Sequence, residues 1–218
     1  MNKPRDPLEI TPTLLLRAYS AGVFPMAESG NSGEIFWVDP KTRGILPLDG
    51  LHISRSMRKF VRKTPYKIRI NHDFRGTMQD CADREETWIN REICELYHTL
   101  NKLGYAHSVE VWDGNNRVGG LYGVDLGGAF FGESMFSAAP NTSKLALIHL
   151  VARLRAGGYQ LLDTQFVTDH LLSLGAVEIS KPAYQVRLAL AMETKGDFFA
   201  LSPQAGPDQI LHLSTQTS

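Results

Sequence analysis

Three polar side chains in otherwise apolar segments are the residues of this chain best suited to chemistry. Glu133 lies near the centre of the apolar run 127–137, and Asp163 and Gln165 follow a second apolar segment. A buried carboxylate is unfavourable unless a partner compensates it. Because Asp163 and Gln165 are two positions apart on a predicted strand, their side chains are expected on one face. We therefore expect these groups to form a site rather than to lie on the surface.

Two interpretations stay open for each of these groups. Glu133 either forms a buried pair with an arginine or receives an ammonium group or a ligand hydroxyl. Asp163 is expected to accept a hydrogen bond from the Gln165 side-chain amide, which would aim the Gln165 carbonyl oxygen at a ligand. That oxygen only accepts, so it would orient an attacking amine without holding its proton. The alternative is a strand-end polar pair that caps the neighbouring backbone.

A basic segment is the second candidate for function. Residues 51–70 include no acidic residue, and their basic side chains are Arg55, Arg58, Lys59, Arg62, Lys63, Lys67 and Arg69. Helical spacing places most of the first five on one face, roughly opposite Met57, Phe60 and Val61. A basic helix face can bind the phosphates of a nucleic acid. The alternative is a solvated face that happens to be basic.

The aromatic residues and the missing motifs narrow the chemistry. Trp37 and Trp88 lie beside loops, where each would either join the core or stack on a base. There is no glycine-rich dinucleotide loop, phosphate-loop lysine or nucleophile elbow. The seven histidines show no metal spacing, so we expect no metal and no cofactor. The helix after Phe136 lacks a glycine-rich pyrophosphate loop at its start, which argues against an acyl-CoA donor.

Composition bounds the class of protein. The chain has 218 residues, 43% hydrophobic residues and a formal net charge of zero, so it suits one domain with a small appendage. Because the net charge is zero, the protein as a whole has no electrostatic attraction to nucleic acid or membrane. Cys81 and Cys94 lie outside any metal spacing and fit a reducing compartment. With a polar N-terminal segment and no membrane-length apolar run, the expected location is the cytoplasm.

Helix and strand signals predict the elements that position these residues. Helices are predicted from Thr11-Pro12 to Gly22, from Ser54 to Lys63, and at 73–82, 91–103, 142–155, 168–174 and 182–193. Strands are predicted at 35–38, 66–70, 108–112, 117–124, 129–136 and 159–164. Residues 113–116 are a hairpin turn signal, whereas residues 39–49 are predicted to form a loop.

The order of these elements predicts an α/β sandwich with a mixed sheet. It matches the acetyltransferase-like (GNAT-related) core, an analogy that does not fix function. We expect a small N-terminal subdomain at 1–62, an acetyltransferase-like catalytic domain at 63–200 and a flexible tail at 201–218.

A series of short motifs runs along the chain from about residue 14 to residue 175. It comprises Phe24-Pro25, Trp37-Val38-Asp39-Pro40 with Arg43, Leu51–Met57, Thr87-Trp88-Ile89, His107–Trp112, Val118–Val124, Gly132–Ser137, Ser143-Lys144, Asp163-Thr164-Gln165, and His170 with Ser173–Ala176. In this order the motifs closely resemble the bacterial leucyl/phenylalanyl-tRNA–protein transferases. The resemblance implies transfer of Leu or Phe, from Leu-tRNA or Phe-tRNA, to proteins with N-terminal Arg or Lys. It also implies that the products enter the N-degron pathway, with no DNA or membrane partner.

The resemblance further implies roles for individual positions. It places the catalytic pair at Asp163 and Gln165, the active-site glutamate at Glu133, the donor side-chain pocket at Phe130 and Leu121, and the aromatics near the tRNA 3′ end at Trp37 and Trp88. Leu150 and Leu154 are assigned to the same donor pocket and stand at helix positions where other members have Phe. The segment around Trp37 lacks the family's double tryptophan. Arg55, Arg58, Lys59, Arg62 and Lys63 are expected to hold tRNA phosphates. The two rival functions are a CoA-dependent acyltransferase of the same fold and a non-catalytic tRNA-binding module.

Overall fold

The computed structural model describes residues 10–30, 34–202 and 204–215. The strands are β1 (Phe24–Ala27), β2 (Ile35–Val38), β3 (Thr42–Ile45), β4 (Lys67–Ile70), β5 (Ala106–Asp113), β6 (Asn116–Leu126), β7 (Ala129–Ser137), β8 (Leu161–Gln165) and β9 (Val177–Ser180). The helices are α1 (Pro12–Ser20), α2 (Arg55–Lys63), α3 (Phe74–Ala82), α4 (Arg91–Lys102), α5 (Thr142–Ala156), α6 (Asp169–Ser173), α7 (Lys181–Met192) and α8 (Pro207–Thr215).

A seven-stranded sheet in the order β4-β5-β6-β7-β8-β3-β9 forms the frame of the molecule. All neighbouring strands are antiparallel except β7 and β8, which run parallel and are connected through α5. Strands β1 and β2 form a separate antiparallel ribbon. The prediction of an α/β protein with a mixed sheet is confirmed at this level. No helix in the described ranges is long and apolar enough to cross a membrane.

The predicted helix starts are confirmed by their capping bonds. The side chains of Thr11, Ser54 and Asn90 accept hydrogen bonds from the backbone N–H of Leu14, Met57 and Ile93, respectively. Such bonds satisfy backbone donors that have no partner within the helix. The turn at 113–116 likewise joins β5 to β6, and Gly114 adopts a positive φ of 57°, as a tight hairpin turn requires.

The predicted loop at 39–49 is wrong for Thr42–Ile45, which form β3 between β8 and β9. Gly44 is part of the reason. A Cβ at this position would lie 2.7 Å from Thr164 Oγ1 and 2.8 Å from the Phe166 carbonyl carbon. The glycine therefore permits close approach of two backbones rather than marking a loop. Strands β1 and β9 were not predicted either.

The expected flexible tail at 201–218 is wrong for the residues of α8. This helix packs on α5, and Ile210 and Leu211 are buried in the core. Pro203 and residues 216–218 of that segment lie outside the described residues, as do residues 1–9 at the other end. The boundary at residue 62 stays a prediction, although β3 lies within the first 62 residues and belongs to the main sheet.

The sheet separates two apolar cores. Leu121 and Phe130 belong to the core that includes α2, α5 and α8, whereas Tyr122 and Phe131 belong to the core that includes α1, α3, α4 and α7. Consecutive strand residues alternate between the two faces, so the middle strands β6 and β7 supply both cores. Glu133 on β7 and Asp163 and Gln165 on β8 are all buried.

Candidate active site

Glu133 lies in a β-bulge of β7. Tyr122 pairs with Ser134 and Gly123 pairs with Gly132, so Glu133 has no Cα partner on β6. A bulge re-aims the side chain at its position and is common next to active sites. The residue is only 9% exposed and lines a cavity. The expected burial of Glu133 is confirmed, but its apolar surroundings in the sequence did not reveal the bulge.

Two tyrosines from different helices hold the Glu133 carboxylate. Tyr19 Oη donates to Oε1 at 2.6 Å and Tyr97 Oη lies 3.3 Å from Oε2, and the two hydroxyls also contact each other. Among the described residues Glu133 forms no ion pair, so the buried arginine pair considered from the sequence is not formed. Burial raises the pKa of Glu133 to about 7, while the hydrogen bond from Tyr19 acts in the opposite direction.

Asp163 is held by partners that the sequence did not predict. Arg43 donates from Nε to Oδ1 at 3.0 Å and from Nη2 to Oδ2 at 2.7 Å. Tyr184 Oη also donates to Oδ2, at 2.6 Å, and the carboxylate is fully buried. The remaining bond to Oδ1 comes from the backbone N–H of Gln165 at 2.7 Å. The predicted bond from the Gln165 side-chain amide is therefore wrong, because the backbone of the same residue makes it instead.

Gln165 adopts an unusual backbone conformation, and its side-chain amide lies near Glu133. Its φ is 62°, in the left-handed region that disfavours a residue with a Cβ. The backbone bond to Asp163 helps to fix this turn at the end of β8. Gln165 Nε2 is buried and makes no hydrogen bond of good geometry in the described structure, although it lies close enough to the Glu133 carboxylate to help lower its pKa. Because an unpaired buried donor is unfavourable, this amide is suited to binding an acceptor atom of a ligand.

We call the cavity around these groups the Glu133 cavity. Its volume is about 310 Å³ and its lining includes Trp88, Leu121, Tyr122, Glu133, Met135, Leu147, Leu150, Leu162, Gln165, Phe166 and His170. The Tyr122 hydroxyl, like the Gln165 amide, is buried without a hydrogen-bond partner. Two unpaired donors and one carboxylate thus line a largely apolar cavity, a pattern typical of small-ligand sites.

The structure brings only part of the predicted donor pocket to this cavity. Leu121 and Leu150 line it, as the resemblance implied. Phe130 and Leu154 are fully buried and are not among its lining residues, because Phe130 stacks on Phe198 at a centroid distance of 5.5 Å and Leu154 packs in the same core. Trp88 lines the cavity, whereas Trp37 lies on β2, is 39% exposed and does not line it.

The basic helix α2 lies outside the Glu133 cavity. Met57 and Val61 are buried, so the predicted apolar face is confirmed. On the opposite side, Arg55, Lys59 and Lys63 are exposed. Arg62 Nε donates to Asp208 Oδ1 at 2.7 Å, and Arg58 Nε donates to the Ile53 carbonyl at 3.2 Å. The helix therefore presents a cationic surface in which Arg62 is already paired.

Several site residues were missed from the sequence: Tyr19, Arg43, Tyr97, Tyr122 and Tyr184. Buried tyrosines usually need a partner for the hydroxyl, so tyrosines within predicted apolar faces were the available signal for this network. Arg43 was noted only as part of a motif, since its segment was predicted to be a loop. Within the described residues, no group of three or more His, Cys, Asp or Glu is arranged to hold a metal.

The chain is similar in sequence to proteins of one family. The family model described as leucyl/phenylalanyl-tRNA protein transferase matches residues 45–189, and the N-terminal domain model of the same family matches residues 9–41. A leucyl/phenylalanyl-tRNA–protein transferase of Ruegeria sp. (strain TM1040) is 58% identical over 97% of this chain and 100% of its own length. One of Rhodospirillum rubrum is 54% identical over 88% of this chain and 92% of its own length. The chain belongs to the leucyl/phenylalanyl-tRNA protein transferase family.

Proposed function

We propose that this chain transfers Leu or Phe from aminoacyl-tRNA to the α-amine of proteins with N-terminal Arg or Lys, marking them for N-degron degradation. Membership of the family makes the chain an aminoacyltransferase. The observation that carries the assignment of the site is the Glu133 cavity, where an apolar wall meets Glu133 and the unpaired Gln165 amide. The reaction is placed in the cytoplasm, where translation supplies the donor.

The apolar wall of the cavity is suited to the donor side chain. Leu121, Leu147, Leu150 and Leu162 all line it, and a volume of about 310 Å³ admits a Leu or Phe side chain. Burial of such a side chain is favourable by about 1.5–3 kcal/mol. Trp88, on the same wall, is proposed to stack on the terminal base of the tRNA. Phe130 and Leu154 lie behind this wall and support it.

The reaction itself needs little chemical activation. The donor is an ester, and an α-amine with a pKa of about 8 is partly neutral at cellular pH. The amine nitrogen attacks the ester carbonyl carbon, the carbon–nitrogen bond forms, and the bond to the ribose oxygen breaks. That oxygen leaves with the proton, directly or through a water. Alignment of the two reactants can supply about 7–11 kcal/mol of the barrier reduction in favourable cases.

Gln165 is the proposed aligning group. Its Oε1 accepts a hydrogen bond from the attacking amine, while its unpaired Nε2 and the unpaired Tyr122 hydroxyl can donate to oxygen atoms of the ester. Donors aimed at the charge that develops on the carbonyl oxygen stabilise the transition state. Asp163 acts through the Gln165 backbone, because Oδ1 accepts its N–H at 2.7 Å. In this proposal Asp163 is a positioning residue and Gln165 touches the reacting atoms.

Glu133 is proposed to receive either the amino group of the donor or the cationic side chain of the acceptor. With a pKa raised to about 7 by burial, the carboxylate is partly protonated in the empty site. An approaching cation would favour its ionised form. Tyr19 and Tyr97 keep the two carboxylate oxygens in place by hydrogen bonds. Glu133 would thus bind a charged amine without needing a permanent ion pair inside the protein.

The exposed cations of α2 are proposed to hold tRNA phosphates. Arg55, Lys59 and Lys63 are exposed and, unlike Arg62, form no ion pair with Asp208.

The acetyltransferase-like fold remains part of this proposal, supported by the parallel β7–β8 pair that α5 connects. Its CoA-binding relatives motivate one rival function.

Transfer of label from radiolabelled Leu-tRNA tests the proposal. Model proteins that differ only in an N-terminal Arg, Lys or Ala serve as acceptors. We expect labelled product with Arg and Lys and none with Ala. Binding of Leu-tRNA without transfer to any acceptor would favour the non-catalytic module, and direct binding of CoA without either would favour the CoA-dependent enzyme.

A further inference from the structure

A second cavity lies against a different face of α5. Its volume is about 740 Å³, and its lining includes Arg62, Ile68, Ile70, Leu145, His149 and Arg153. We call it the C-terminal cavity. Leu145, His149 and Arg153 recur every four residues along α5, whereas Leu147 and Leu150 of the same helix line the Glu133 cavity. One helix therefore separates the two cavities.

Arg153 is the unusual residue of the C-terminal cavity. Its side chain is only 7% exposed, yet among the described residues it forms no ion pair. Nη1 donates to the Phe198 carbonyl at 2.8 Å, while Nε is buried without a hydrogen-bond partner. A buried cation without a partner at ion-pair distance is unfavourable. Burial lowers the pKa of Arg153, and the charge of Asp197, which makes no ion pair with it, offsets this only in part.

The lining of the cavity has two further basic side chains, His149 and Arg62. His149 lies one turn before Arg153, and burial, reinforced by the charge of Arg153, lowers the pKa of its imidazole to about 4. Arg62 lines the cavity but is paired with Asp208 on α8. None of the described lining residues is acidic. The lining thus combines a buried guanidinium with an apolar wall and no described carboxylate.

We propose that the C-terminal cavity binds a small organic anion, a carboxylate on an apolar body, with Arg153 as its anchor. Ile68, Ile70 and Leu145 supply apolar wall for the body. The volume lies in the range of pockets that hold metabolite-sized ligands, about 300–1,000 Å³. The guanidinium is too deeply buried to contact the phosphate backbone of a nucleic acid, which distinguishes this cavity from the exposed cations of α2.

Calorimetric titration of the full-length protein with octanoate and with its neutral analogue octanamide tests the proposal. We expect octanoate to bind roughly tenfold more tightly or better, because only the carboxylate can pair with the guanidinium. Arg153→Met keeps an apolar stem and should abolish the preference for octanoate. Arg187→Met, which removes an exposed cation from α7, is the matched control and should retain the preference. Equal affinities for the two probes, or a preference that survives in Arg153→Met, would overturn the proposal.

A second measurement does not depend on the variant being folded. The imidazole chemical shifts of His149 in the wild-type protein are followed by NMR at about pH 7, where octanoate is ionised, during titration with octanoate and with octanamide. His149 lies one turn from Arg153 in the lining of the same cavity, so octanoate bound there should shift its resonances. Octanoate binding that leaves the His149 resonances unchanged would place the ligand elsewhere and refute the assignment.

Discussion

Arg43 and Asp163 form a buried, two-pronged ion pair that joins β3 to β8. Nη2 of Arg43 lies 2.7 Å from Oδ2 of Asp163, and both residues are almost completely buried. The same carboxylate accepts the Gln165 N–H, while Arg43 Nη1 donates to the Gly22 carbonyl at 2.9 Å. The pair therefore connects the N-terminal segment to the turn that carries Gln165, which makes it the support of the candidate active site.

The first prediction concerns the stability that this pair provides. Arg43→Met would leave Asp163 as an uncompensated buried charge, so the free energy of unfolding should fall by about 3–5 kcal/mol. Adding Asp163→Asn to Arg43→Met removes that charge and should recover part of the loss. Urea denaturation of the wild type and both variants measures the three free energies. If the double variant were no more stable than Arg43→Met, the buried charge would not be the cause.

The second prediction concerns the pH dependence of stability at Glu133. Burial raises its pKa to about 7 from an ordinary value of 4.5, so between these values the folded protein retains a proton that the unfolded chain has released. The free energy of unfolding should therefore fall as the pH rises through this window, by up to roughly 3 kcal/mol from this group. Glu133→Gln has no titrating group at this position, so its free energy of unfolding should depend less on pH.

The comparison needs urea denaturation of both proteins at about pH 5 and about pH 8. All other groups titrate in both proteins, so the difference between the two pH dependences isolates Glu133. Tyr19→Phe provides a graded test, because loss of its hydrogen bond should raise the pKa of Glu133 further. Identical pH dependences for the wild type and Glu133→Gln would contradict the assignment of a raised pKa.

The third prediction concerns the choice of donor. Leu121 lines the Glu133 cavity, and Leu121→Trp should shrink it so that Phe is disfavoured more than Leu. The ratio of kcat/KM for Phe-tRNA to that for Leu-tRNA should fall by roughly tenfold or more, the range that a change in pocket volume gives. Leu150→Ala should shift the ratio the opposite way. An unchanged ratio in both variants would remove these residues from the donor pocket.

The fourth prediction concerns tRNA binding by α2. Arg55→Glu with Lys59→Glu reverses two exposed charges and should weaken Leu-tRNA binding. Each lost phosphate contact should also reduce the slope of log K against log salt by about 0.7–0.9. Arg187→Glu with Lys195→Glu, at two exposed positions outside α2, makes the same change in net charge and is the control. An unchanged slope in the α2 variant would show that the helix does not contact the tRNA.

The sequence was sufficient for the elements whose signals are local. The capping side chains at Thr11, Ser54 and Asn90 placed three helix starts correctly, and the alternating strands around the 113–116 turn gave the central hairpin. Local signals failed at Thr42–Ile45, where Gly44 and flanking prolines suggested a loop. The strand exists because β8 and β9 pair with it on both sides, a tertiary relationship that no local pattern carries.

In the candidate site, too, local patterns identified some residues, whereas tertiary contacts determined their partners. Glu133, Asp163 and Gln165 were recognisable because polar residues in apolar segments demand partners. The partners themselves come from distant segments, as with Tyr19 and Tyr97 at Glu133. The positive φ of Gln165 was also not readable from the sequence, and it explains why the backbone rather than the side chain meets Asp163. The apolar face of α8 was overlooked because polar residues dominate that segment.

The most direct test of the account is single-turnover transfer from Leu-tRNA already bound to the enzyme. Gln165→Ala should reduce the transfer rate roughly a hundredfold, as loss of a group that acts on the reacting atoms does, while the affinity for Leu-tRNA stays unchanged. Gln209→Ala, an exposed helix position, is the matched control and should behave as the wild type. Undiminished transfer by Gln165→Ala, or a defect confined to Leu-tRNA affinity, would contradict the assignment of Gln165 as the aligning group.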